Sequence, residues 1–331
     1  MNSLYSVGIT GIGSYVPEKI ITNYDLCKMV DTSNEWIVER TGIQERRIVD
    51  QSLSTSDIAT IAANKALEDS NTNSKEIDLI IVATATPDMA FPSTACVVQK
   101  NIQAINAAAF DISAGCSGFI YGLSIGFNFI KAGTYKKVLV IGGETLSKIV
   151  NWEDRNTCVL FGDGAGACIL ERCKGGFGFL TFDLGSDGNN GHLLIQPAGG
   201  SRLPASYETV SNRLHTIKMD GREVFKFAVR IIEKSSKEVL RKANILLEQI
   251  DLLIPHQANM RIVQSAIKKL QLEENKVYIN LDKYGNMSSA SIPVALDEAY
   301  KKGIFSKGDL VLLVAFGAGL TWGSTLLRWN K

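Results

Sequence analysis

The chain has 331 residues, of which 21% are charged, and a formal net charge of +1, so no bulk electrostatic field would draw it to nucleic acid or to a membrane. The length favours about two domains, or one large domain in two parts, with ample residues for a core. Six cysteines without a C-x-x-C pair and only three histidines argue against a structural zinc site, and a disulfide scaffold does not suit a chain of this size.

The N-terminal residues and the cysteine usage indicate where the protein works. The opening MNSLYSVGIT lacks the basic and then long apolar segment of a secretory signal. Together with the cysteine pattern, this predicts a reduced, soluble protein of the cytoplasm, and we expect no metal.

Alternating strands and helices are predicted through the first half. The expected elements are a strand at 4–12, a short helix begun by a T-x-x-E capping box at 32–35, an amphipathic helix at 54–70, a buried strand at 77–86, a helix from the Phe-Pro-Ser at 91–93 to about Ile102, and a buried strand at 136–145 before the polar loop of Arg155. Trp36 and Arg40 share a helix face, where an indole beside a guanidinium can hold a flat ligand such as adenine. The alternative is a tryptophan packed into the core with the arginine at the surface.

The stretch 110–131 carries the first candidate for covalent chemistry. An apolar strand at 107–112 leads through a tight turn to Cys116 and then into an uncharged helix. Glycines recur every four residues on one face of this helix and allow close packing: Gly118, Gly122 and Gly126. A thiol at a helix N-terminus is helped to ionise by the helix dipole, and the thiolate is the nucleophilic form. The alternatives are a small buried apolar cysteine and a membrane span, although the glycines and the preceding strand argue against a span.

A glycine-rich segment and a polar insert lie in the middle of the chain. The segment 161–170 is interpreted as a glycine turn leading into a strand, because its G-x-G-x-G does not match the six-residue fingerprint of a dinucleotide site. The insert at about 183–220 is rich in turns. Its His192 and His215 are interpreted as surface or loop histidines without a catalytic role.

The second half of the chain repeats the first. The matching segments, with their offsets, are 77–81 and 250–254 (173), 115–116 and 285–286 (170), and 161–164 and 316–319 (155). The order is kept while the offsets drift, which indicates an old duplication with insertions and deletions. Each half is therefore predicted to be a layered α/β unit, and pseudo-twofold packing brings the two glycine- and serine-rich helices together in the middle.

Three polar side chains are predicted to meet at the ends of strands. His256 follows the repeated strand at 250–254, at the carboxyl end where α/β sheets place ligands. Asn286 has the place in the second half that Cys116 has in the first. These three side chains can converge on one cavity, and the glycine turn at 316–319 offers backbone N–H groups to an oxyanion.

Long motifs extend over almost the whole chain. They are EWIVERTGIQERR (35–47), ATATPD with FPSTAC (83–96), DISAGCSGF (111–119), FGDGAGA (161–167), GREVFKFAV (221–229), PHQANMRI (255–262), YGNMSSASIP (284–293) and AFGAGLTWGS (315–324). In order and spacing the chain resembles β-ketoacyl-acyl-carrier-protein synthase III, the condensing-enzyme family that starts bacterial fatty-acid synthesis. The resemblance implies an α/β thiolase-like duplicated fold of five layers, α-β-α-β-α. We place its two pseudo-symmetric halves at 1–175, with the nucleophilic cysteine, and at 176–331, with the histidine and asparagine.

The resemblance also implies a two-step reaction without a cofactor, because the acyl-CoA is a substrate. Cys116 takes an acyl group, expected to come from acetyl-CoA, and malonyl-acyl-carrier-protein then loses CO2 and attacks the thioester. His256 and Asn286 donate hydrogen bonds to the enolate, while the backbone N–H groups of Cys116 and Ala318 form the oxyanion hole. Many relatives have glycine in place of Ala318, a change that a backbone role tolerates unless the position needs a positive φ.

Binding residues are likewise implied by the resemblance. The CoA site comprises Trp36 and Arg155 at the adenine, Arg40, and a pantetheine tunnel lined by Thr32, Gly221, Phe225, Ala258 and Asn259. The carrier-protein site comprises Gln257, Ala258, Asn259, Met260 and Arg261, with Lys226 and Lys268 nearby. A local basic patch suits an acidic carrier protein. Phe91 is expected to reach across a homodimer into the partner's acyl pocket.

Related enzymes with other chemistry are the alternatives. Thiolases use a second cysteine, elongating synthases two histidines and hydroxymethylglutaryl-CoA synthase a glutamate base, so the Cys/His/Asn set favours decarboxylative condensation. Plant-type polyketide synthases share that set but are longer and lack the carrier-protein motif. A condensing or acyl-transfer enzyme of secondary metabolism stays open, as does a cysteine thioesterase or hydrolase, which would release free acid.

Overall fold

The protein is built from two large β-sheets with helices packed on and between them, and from two small sheets of two strands each. The computed structural model describes residues 6–331, so positions 4 and 5 of the first predicted strand lie outside the described residues. The strands are β1 (Ser6–Tyr15), β2 (Ile20–Thr22), β3 (Glu45–Arg47), β4 (Leu79–Ala83), β5 (Ala108–Ile112), β6 (Val138–Thr145), β7 (Asp163–Cys173), β8 (Gly178–Ser186), β9 (Leu194–Ile195), β10 (Lys218–Met219), β11 (Leu252–Pro255), β12 (Leu310–Gly317) and β13 (Thr321–Arg328). The helices are α1 (Asn23–Leu26), α2 (Asn34–Thr41), α3 (Thr55–Ser70), α4 (Thr94–Asn101), α5 (Gly118–Lys131), α6 (Tyr207–Ser211), α7 (Gly221–Ala243), α8 (Met260–Leu270), α9 (Leu281–Tyr284) and α10 (Ser291–Lys301). The two small sheets pair β2 with β3 and β9 with β10.

The two larger sheets have the same strand order. In the first, β1-β7-β6-β4-β5, strand β4 is parallel to β5 and β6, and β7 is antiparallel to β6 and β1. In the second, β8-β13-β12-β11, strand β11 is parallel to β12, and β13 is antiparallel to β12 and β8. A single parallel bridge between Leu253 and Val277 stands where the first sheet has β5. The first sheet uses strands up to Cys173 and the second uses strands from Gly178 onward.

The predicted repeat is confirmed at the offset of 173. Strand β4 begins at Leu79 and β11 at Leu252. The helices before them, α3 and α7, both end on an asparagine in the left-handed region, Asn71 at φ 51 and Asn244 at φ 54. Asparagine is one of the few residues that tolerate this conformation at a helix end, so the same sequence solution stops both helices.

The predicted match between Cys116 and Asn286 is wrong by three residues. Cys116 lies in the 3-10 turn Gly115–Ser117, and the equivalent turn in the second half is Ser288–Ala290. Each turn begins on a left-handed residue, with φ 51 at the first position of one and φ 47 at the first position of the other. The offset is again 173, so Ser289 is the counterpart of Cys116. Asn286 lies in the segment before the turn.

Helices cover and separate the two sheets, which gives five layers. Helices α3 and α4 pack on the outer face of the first sheet, and α7 and α8 cover the outer face of the second. Helices α5 and α10 lie between the sheets, where one apolar core joins residues of both halves. The thiolase-like α-β-α-β-α arrangement is confirmed.

The uncharged run is the central helix α5, and its glycines allow it to lie close to the first sheet. An added Cβ would lie 2.8 Å from Val140 at Gly122 and 3.0 Å from Leu170 at Gly126. Within residues 6–331, no helix has both the length and the apolarity to cross a membrane.

The predicted helix at 32–35 has a different cap. Ser33 accepts the Trp36 N–H at 3.1 Å and α2 begins one residue later, at Asn34. Glu35 is therefore not at the third helical position, and the capping box predicted for Thr32 is wrong. The Thr32 hydroxyl is buried without a partner among residues 6–331.

Two other local predictions agree with the structure. Helix α4 starts after Ser93, which accepts the Cys96 N–H at 3.2 Å, as expected from the Phe-Pro-Ser motif. The glycine-rich segment at 161–170 does lead into a strand, although β7 already begins at Asp163. A Cβ at Gly166 would lie 2.6 Å from Pro293, so this glycine allows α10 to pack on β7.

Candidate active site

Four chain segments meet around Cys116. Its turn packs against the turn Ser288–Ala290 and the end of β12. Gly317 of β12 lies so close that a Cβ there would collide with the Cys116 backbone. Thr321 donates to the Ala114 carbonyl at 2.7 Å and accepts from the Ser117 hydroxyl at 2.7 Å. The second half thus holds the turn that carries the cysteine, and the site forms only when the halves are docked.

His256 lies directly after β11, as predicted. Its N–H donates to the Val314 carbonyl at 2.7 Å, and its ring lies edge-on to Phe316 with centroids 5.4 Å apart. The side chain is buried, and neither ring nitrogen has a partner among residues 6–331. Burial lowers the pKa of His256 to about 3, so the ring is neutral at pH 7 and has one N–H to donate. A buried polar group without a partner costs about 1–3 kcal/mol, so these nitrogens suit an oxygen of a bound substrate.

The Asn286 amide is oriented by its own backbone turn. Its Oδ1 accepts the Ser288 N–H at 2.8 Å, which leaves the Nδ2 hydrogens free to donate elsewhere. Its backbone is fixed on both sides, because its N–H donates to the Leu160 carbonyl at 2.8 Å and its carbonyl accepts from Gly162 at 3.0 Å. Asn286 is buried, so the amide is a preorganised donor.

The Cys116 thiol differs from the prediction of an easily ionised group. Burial raises the pKa of Cys116 to about 12; the negative charge of Glu144 adds to this, while a hydrogen bond with Ser288 acts against it. The helix-dipole argument considers only the local turn. Removal of the sulfur from water outweighs that effect here.

The backbone of Ala318 lies beside the turn of Cys116. A Cβ at Gly115 would lie 2.7 Å from the Ala318 nitrogen, so these two segments are in close contact. Ala318 does not have a positive φ, so an L-residue fits this position without backbone strain. The oxyanion role of this N–H stays a prediction.

Trp36 carries two guanidinium groups beside its ring. The guanidinium carbon of Arg155 lies 4.9 Å and that of Arg40 5.7 Å from the ring centroid. Arg155 also donates to the Asp31 carbonyl at 2.8 Å. Trp36 is half-buried, with one part against an apolar cluster and one part open. The ring is therefore accessible to a flat ligand, and it is neither a core tryptophan nor a fully exposed one.

The N-terminal ends of α7 and α8 bring most of the other predicted binding residues together. The Arg261 guanidinium lies 6.0 Å from the Phe225 ring, and Asn259 donates to the Arg40 carbonyl at 2.9 Å. The remaining exposed members on these helices are Gly221, Lys226 and Lys268, and Ala258 is half-buried next to Asn259. Thr32 and Phe91 lie outside this group, and Phe91 is 85% exposed.

Two of the predicted carrier-protein contacts face inward. Gln257 is buried, donates to the Tyr278 carbonyl at 3.2 Å and accepts the Asn280 N–H at 2.8 Å. Its side chain supports the loop from inside, and the carrier-protein role of Gln257 stays a prediction. Met260 packs on Gly42, where an added Cβ would lie 2.5 Å away, and is only half-exposed.

Sequence reasoning missed two buried charged side chains that support the site. Glu144 of β6 accepts hydrogen bonds from both halves. Arg46 is fully buried and donates to the Val159 carbonyl at 2.9 Å, next to the segment that holds Asn286. For Glu144, the available sequence signal was a lone charged residue inside the otherwise apolar strand VLVIGGET. No group of three or more His, Cys, Asp or Glu side chains in the described part of the chain could hold a metal ion.

Comparison with known proteins identifies the relatives of this chain. Two family models match, 3-oxoacyl-[acyl-carrier-protein] synthase III at residues 110–188 and its C-terminal part at residues 240–329. A β-ketoacyl-[acyl-carrier-protein] synthase III of Caldanaerobacter subterraneus subsp. tengcongensis is 63% identical over 98% of both chains. The crystal structure of 3-oxoacyl-[acyl-carrier-protein] synthase III from Aquifex aeolicus VF5 has a TM-score of 0.91 and 49% identity, covering 98% of this chain and 100% of that one. The priming β-ketosynthase of the R1128 polyketide pathway has a TM-score of 0.92 and 30% identity, covering 100% and 98%.

Proposed function

Because the chain belongs to the β-ketoacyl-[acyl-carrier-protein] synthase III family, we propose that it condenses an acyl-CoA primer with malonyl-acyl-carrier-protein. The products are 3-oxoacyl-acyl-carrier-protein, CO2 and CoA, and acetyl-CoA is the expected primer. The observation that carries the proposal is the junction of both halves. The turn of Cys116 packs there against β12, whose Phe316 contacts the ring of His256, and against the turn Ser288–Ala290, whose first N–H donates to Asn286.

In the first step, the Cys116 sulfur attacks the acyl-CoA carbonyl. A C–S bond forms to Cys116, the C–S bond to CoA breaks, and the thiol proton ends on the CoA sulfur. The oxyanion of the tetrahedral intermediate accepts from the backbone N–H groups of Cys116 and Ala318, whose segments touch. Burial of the thiol excludes water, which would hydrolyse the acyl-enzyme.

In the second step, the malonyl C–C bond breaks and CO2 leaves. The electron pair passes to the thioester oxygen as an enolate, which accepts hydrogen bonds from His256 and Asn286. Both donors are neutral and already oriented, so little reorganisation is needed when the charge develops. The carbanion then attacks the acyl-Cys116 carbonyl and displaces the sulfur as a thiolate, which takes a proton from solvent to regenerate the thiol. This chemistry requires no cofactor and no metal.

Product analysis across a series of primers tests the proposal. We expect 3-oxoacyl-acyl-carrier-protein and CO2 in equal amounts from short acyl-CoA and malonyl-acyl-carrier-protein. Release of free acid without malonyl thioester would instead establish a thioesterase. The similarity to a priming β-ketosynthase supports a second candidate, a condensing enzyme of secondary metabolism. A strong preference for long or unusual primers over acetyl-CoA would favour it.

We further propose that the enzyme is a cytoplasmic homodimer. Strand β5 is the edge of the first sheet, and an edge strand offers unpaired backbone groups to a second copy. Phe91, with 85% of its surface exposed, and the nearby Met89 are apolar side chains that pairing of this kind would cover. Sedimentation of Phe91→Asp beside the wild type tests the dimer. Two dimers of equal stability would show that Phe91 is not at the interface.

Truncating Trp36 is expected to weaken acyl-CoA use. The guanidinium groups of Arg40 and Arg155 both lie within 6 Å of the ring centroid, and loss of stacking on adenine costs about 1–2 kcal/mol, a rise in KM of roughly 5- to 30-fold. Steady-state kinetics of Trp36→Ala measure this, with the KM for malonyl-acyl-carrier-protein as the internal control. An unchanged KM for acyl-CoA would show that Trp36 has only a packing role.

Reversing the charge of Arg261 is expected to impair the second substrate selectively. Arg261 is exposed at the start of α8, outside the reacting group, so Arg261→Glu should raise the KM for malonyl-acyl-carrier-protein and leave acyl transfer from CoA largely intact. Lys174→Glu is the matched control, because Lys174 is exposed in the loop after β7 of the first sheet, whereas α8 covers the second sheet. Equal loss in both half-reactions would refute the carrier-protein role of Arg261.

The decarboxylation step is expected to show no titration near pH 6.5, the ordinary value for histidine. Because the pKa of His256 is lowered to about 3, the ring gains a proton only far below pH 6.5. The neutral donor is therefore fully present between about pH 5 and 8. Radiolabelled CO2 release over this range should be flat. A loss of rate on acidification with a midpoint near 6.5 would mean that His256 is not held neutral by burial.

A further inference from the structure

Glu144 is a buried carboxylate of β6 that accepts hydrogen bonds from both halves of the chain. From the first half, its Oε2 accepts from the hydroxyls of Thr84 and Thr86 at 3.3 and 2.9 Å, and the Ala85 N–H lies 3.2 and 3.1 Å from Oε1 and Oε2. From the second half, its Oε1 accepts from the Ser288 hydroxyl at 3.0 Å. The side chain has no exposed surface, so its contacts are with the protein itself.

Strand β6 lies close to the turn Ser288–Ala290 because it has a glycine at position 142. Gly142 and Glu144 are two residues apart in β6, so they face the same side of the first sheet. A Cβ on Gly142 would collide with the Ser289 carbonyl. The glycine therefore lets the turn lie against the strand, where the Glu144 side chain reaches its hydroxyl groups.

Ser288 is the residue that ties this turn to Glu144. The neighbouring Ser289 hydroxyl lies 2.9 Å from Glu144 Oε1 but also 2.8 Å from the Ala83 carbonyl, and its one proton serves one acceptor at a time. The backbone of Ser288 is left-handed at φ 47, which is unfavourable for an L-residue and persists only where other contacts hold it. The hydrogen bond to Glu144 is such a contact.

The backbone of Ser288 in turn holds the side chain of Asn286. Its N–H donates to Asn286 Oδ1 at 2.8 Å. Because the side-chain amide is planar, a fixed Oδ1 also fixes the direction of the Nδ2 hydrogens. Two hydrogen bonds, one to the side chain and one from the backbone of the same serine, thus connect Glu144 to the donor group of Asn286.

We propose that Glu144 is a positioning residue for the decarboxylation step, which holds Ser288 so that its N–H orients the Asn286 amide toward the enolate. Glu144 makes and breaks no bond in the reaction. The proposal rests on the proposed function in assigning Asn286 to the enolate. The orientation of the Asn286 amide by Glu144 is a separate claim that can be measured without turnover.

Glu144→Leu and Glu144→Gln, measured side by side, test the proposal. Leucine fills a similar space but cannot hydrogen-bond, so the kcat of CO2 release from malonyl-acyl-carrier-protein should fall about tenfold, while its KM and the acetylation of Cys116 by acetyl-CoA stay largely unchanged. Glutamine should keep most of the rate, because the Ser288 hydroxyl can donate to its oxygen or accept from its nitrogen. Equal loss of both steps in Glu144→Leu, an unchanged rate there, or equal loss in both variants would overturn the proposal.

Ser288→Gly removes the same connection from the other side. Glycine suits the left-handed backbone and keeps the N–H that donates to Asn286, so only the side chain is lost. This variant should also slow CO2 release and spare acetylation, and it decides the question if Glu144→Leu does not fold. In the double variant the two losses should not multiply, because either change breaks the same connection. Losses that multiply would show that the two residues act independently, and the proposal would be wrong.

Asp297→Asn is the matched control for a buried carboxylate that joins the halves. Asp297 of α10 is buried and accepts from the Ser14 hydroxyl of β1. Its other hydrogen bond comes from Lys301 of its own helix, instead of from the turn that holds Asn286. The ratio of CO2 release to acetylation should therefore be that of the wild type. A ratio lowered as far as in Glu144→Leu would assign the effect to general docking of the halves and refute the proposal.

NMR of protein with ¹⁵N-labelled asparagine measures the amide of Asn286 directly, with its side-chain signal assigned by its loss in Asn286→Ala. The signal should shift or broaden in Glu144→Leu and stay unchanged in Asp297→Asn. If it does so while the wild type releases no CO2 from malonyl-acyl-carrier-protein, the proposed function fails and the positioning by Glu144 stands. A signal that is the same in Glu144→Leu as in the wild type would overturn the positioning, whatever the activity.

Discussion

Asn286→Ala is expected to release CO2 from malonyl-acyl-carrier-protein about 10²-fold more slowly than the wild type, while Cys116 still accepts an acyl group from acyl-CoA. The amide is one of two fixed donors to the enolate, and loss of one oxyanion donor costs about 2.7–4 kcal/mol. The acyl-transfer step develops its charge on a different oxygen, so it should be spared. Radiolabelled CO2 release beside intact-protein mass spectrometry measures the two steps separately.

The matched control is Asn128→Ala on α5, where the amide donates to the Ser124 carbonyl of its own helix. That variant should keep both steps. His256→Ala should resemble Asn286→Ala in CO2 release and can also slow acylation if the imidazole assists the thiol. Equal loss of both steps in Asn286→Ala would show that Asn286 maintains the structure of the site and has no specific role in decarboxylation.

Cys116→Ala should abolish acyl-enzyme formation and condensation and still release CO2 from malonyl-acyl-carrier-protein at a measurable rate. The sulfur is the acyl acceptor, whereas the enolate donors His256 and Asn286 do not depend on it. Cys168→Ala is the control, because Cys168 is also buried but lies within β7 in the apolar core. If Cys116→Ala lost CO2 release as completely as Asn286→Ala, decarboxylation would require prior acylation.

The duplicated strands could be predicted because their pattern is local. The apolar runs at 77–81 and 250–254 are bounded by the same helix and turn signals, and β4 and β11 follow them at the same offset. The partner of Cys116 could not be found this way, because Gly285-Asn286 resembles Gly115-Cys116 in letters only. The left-handed φ at Ser288 marks the true start of the second turn, and a serine gives no sequence signal for that conformation.

Side-chain direction and burial were the parts that sequence could not supply. The residues that follow Gln257 in its motif are partly exposed. The Gln257 side chain is buried instead, because it hydrogen-bonds with the Tyr278 carbonyl and the Asn280 N–H. The thiol of Cys116 has a favourable helix end but lies out of water beside Glu144. Both outcomes depend on contacts between residues far apart in sequence, which no local pattern encodes: within the second half for Gln257, and between the two halves for the turn of Cys116.

The most direct test of the account is to locate the acyl group. The wild-type protein is treated with acetyl-CoA, digested and analysed by mass spectrometry, and a second portion is first mixed with malonyl-acyl-carrier-protein. We predict one acetyl group on the peptide that contains Cys116, lost in the second portion as 3-oxoacyl-acyl-carrier-protein appears. An acetyl group on another residue, or condensation at full rate without an acylated Cys116, would contradict the account.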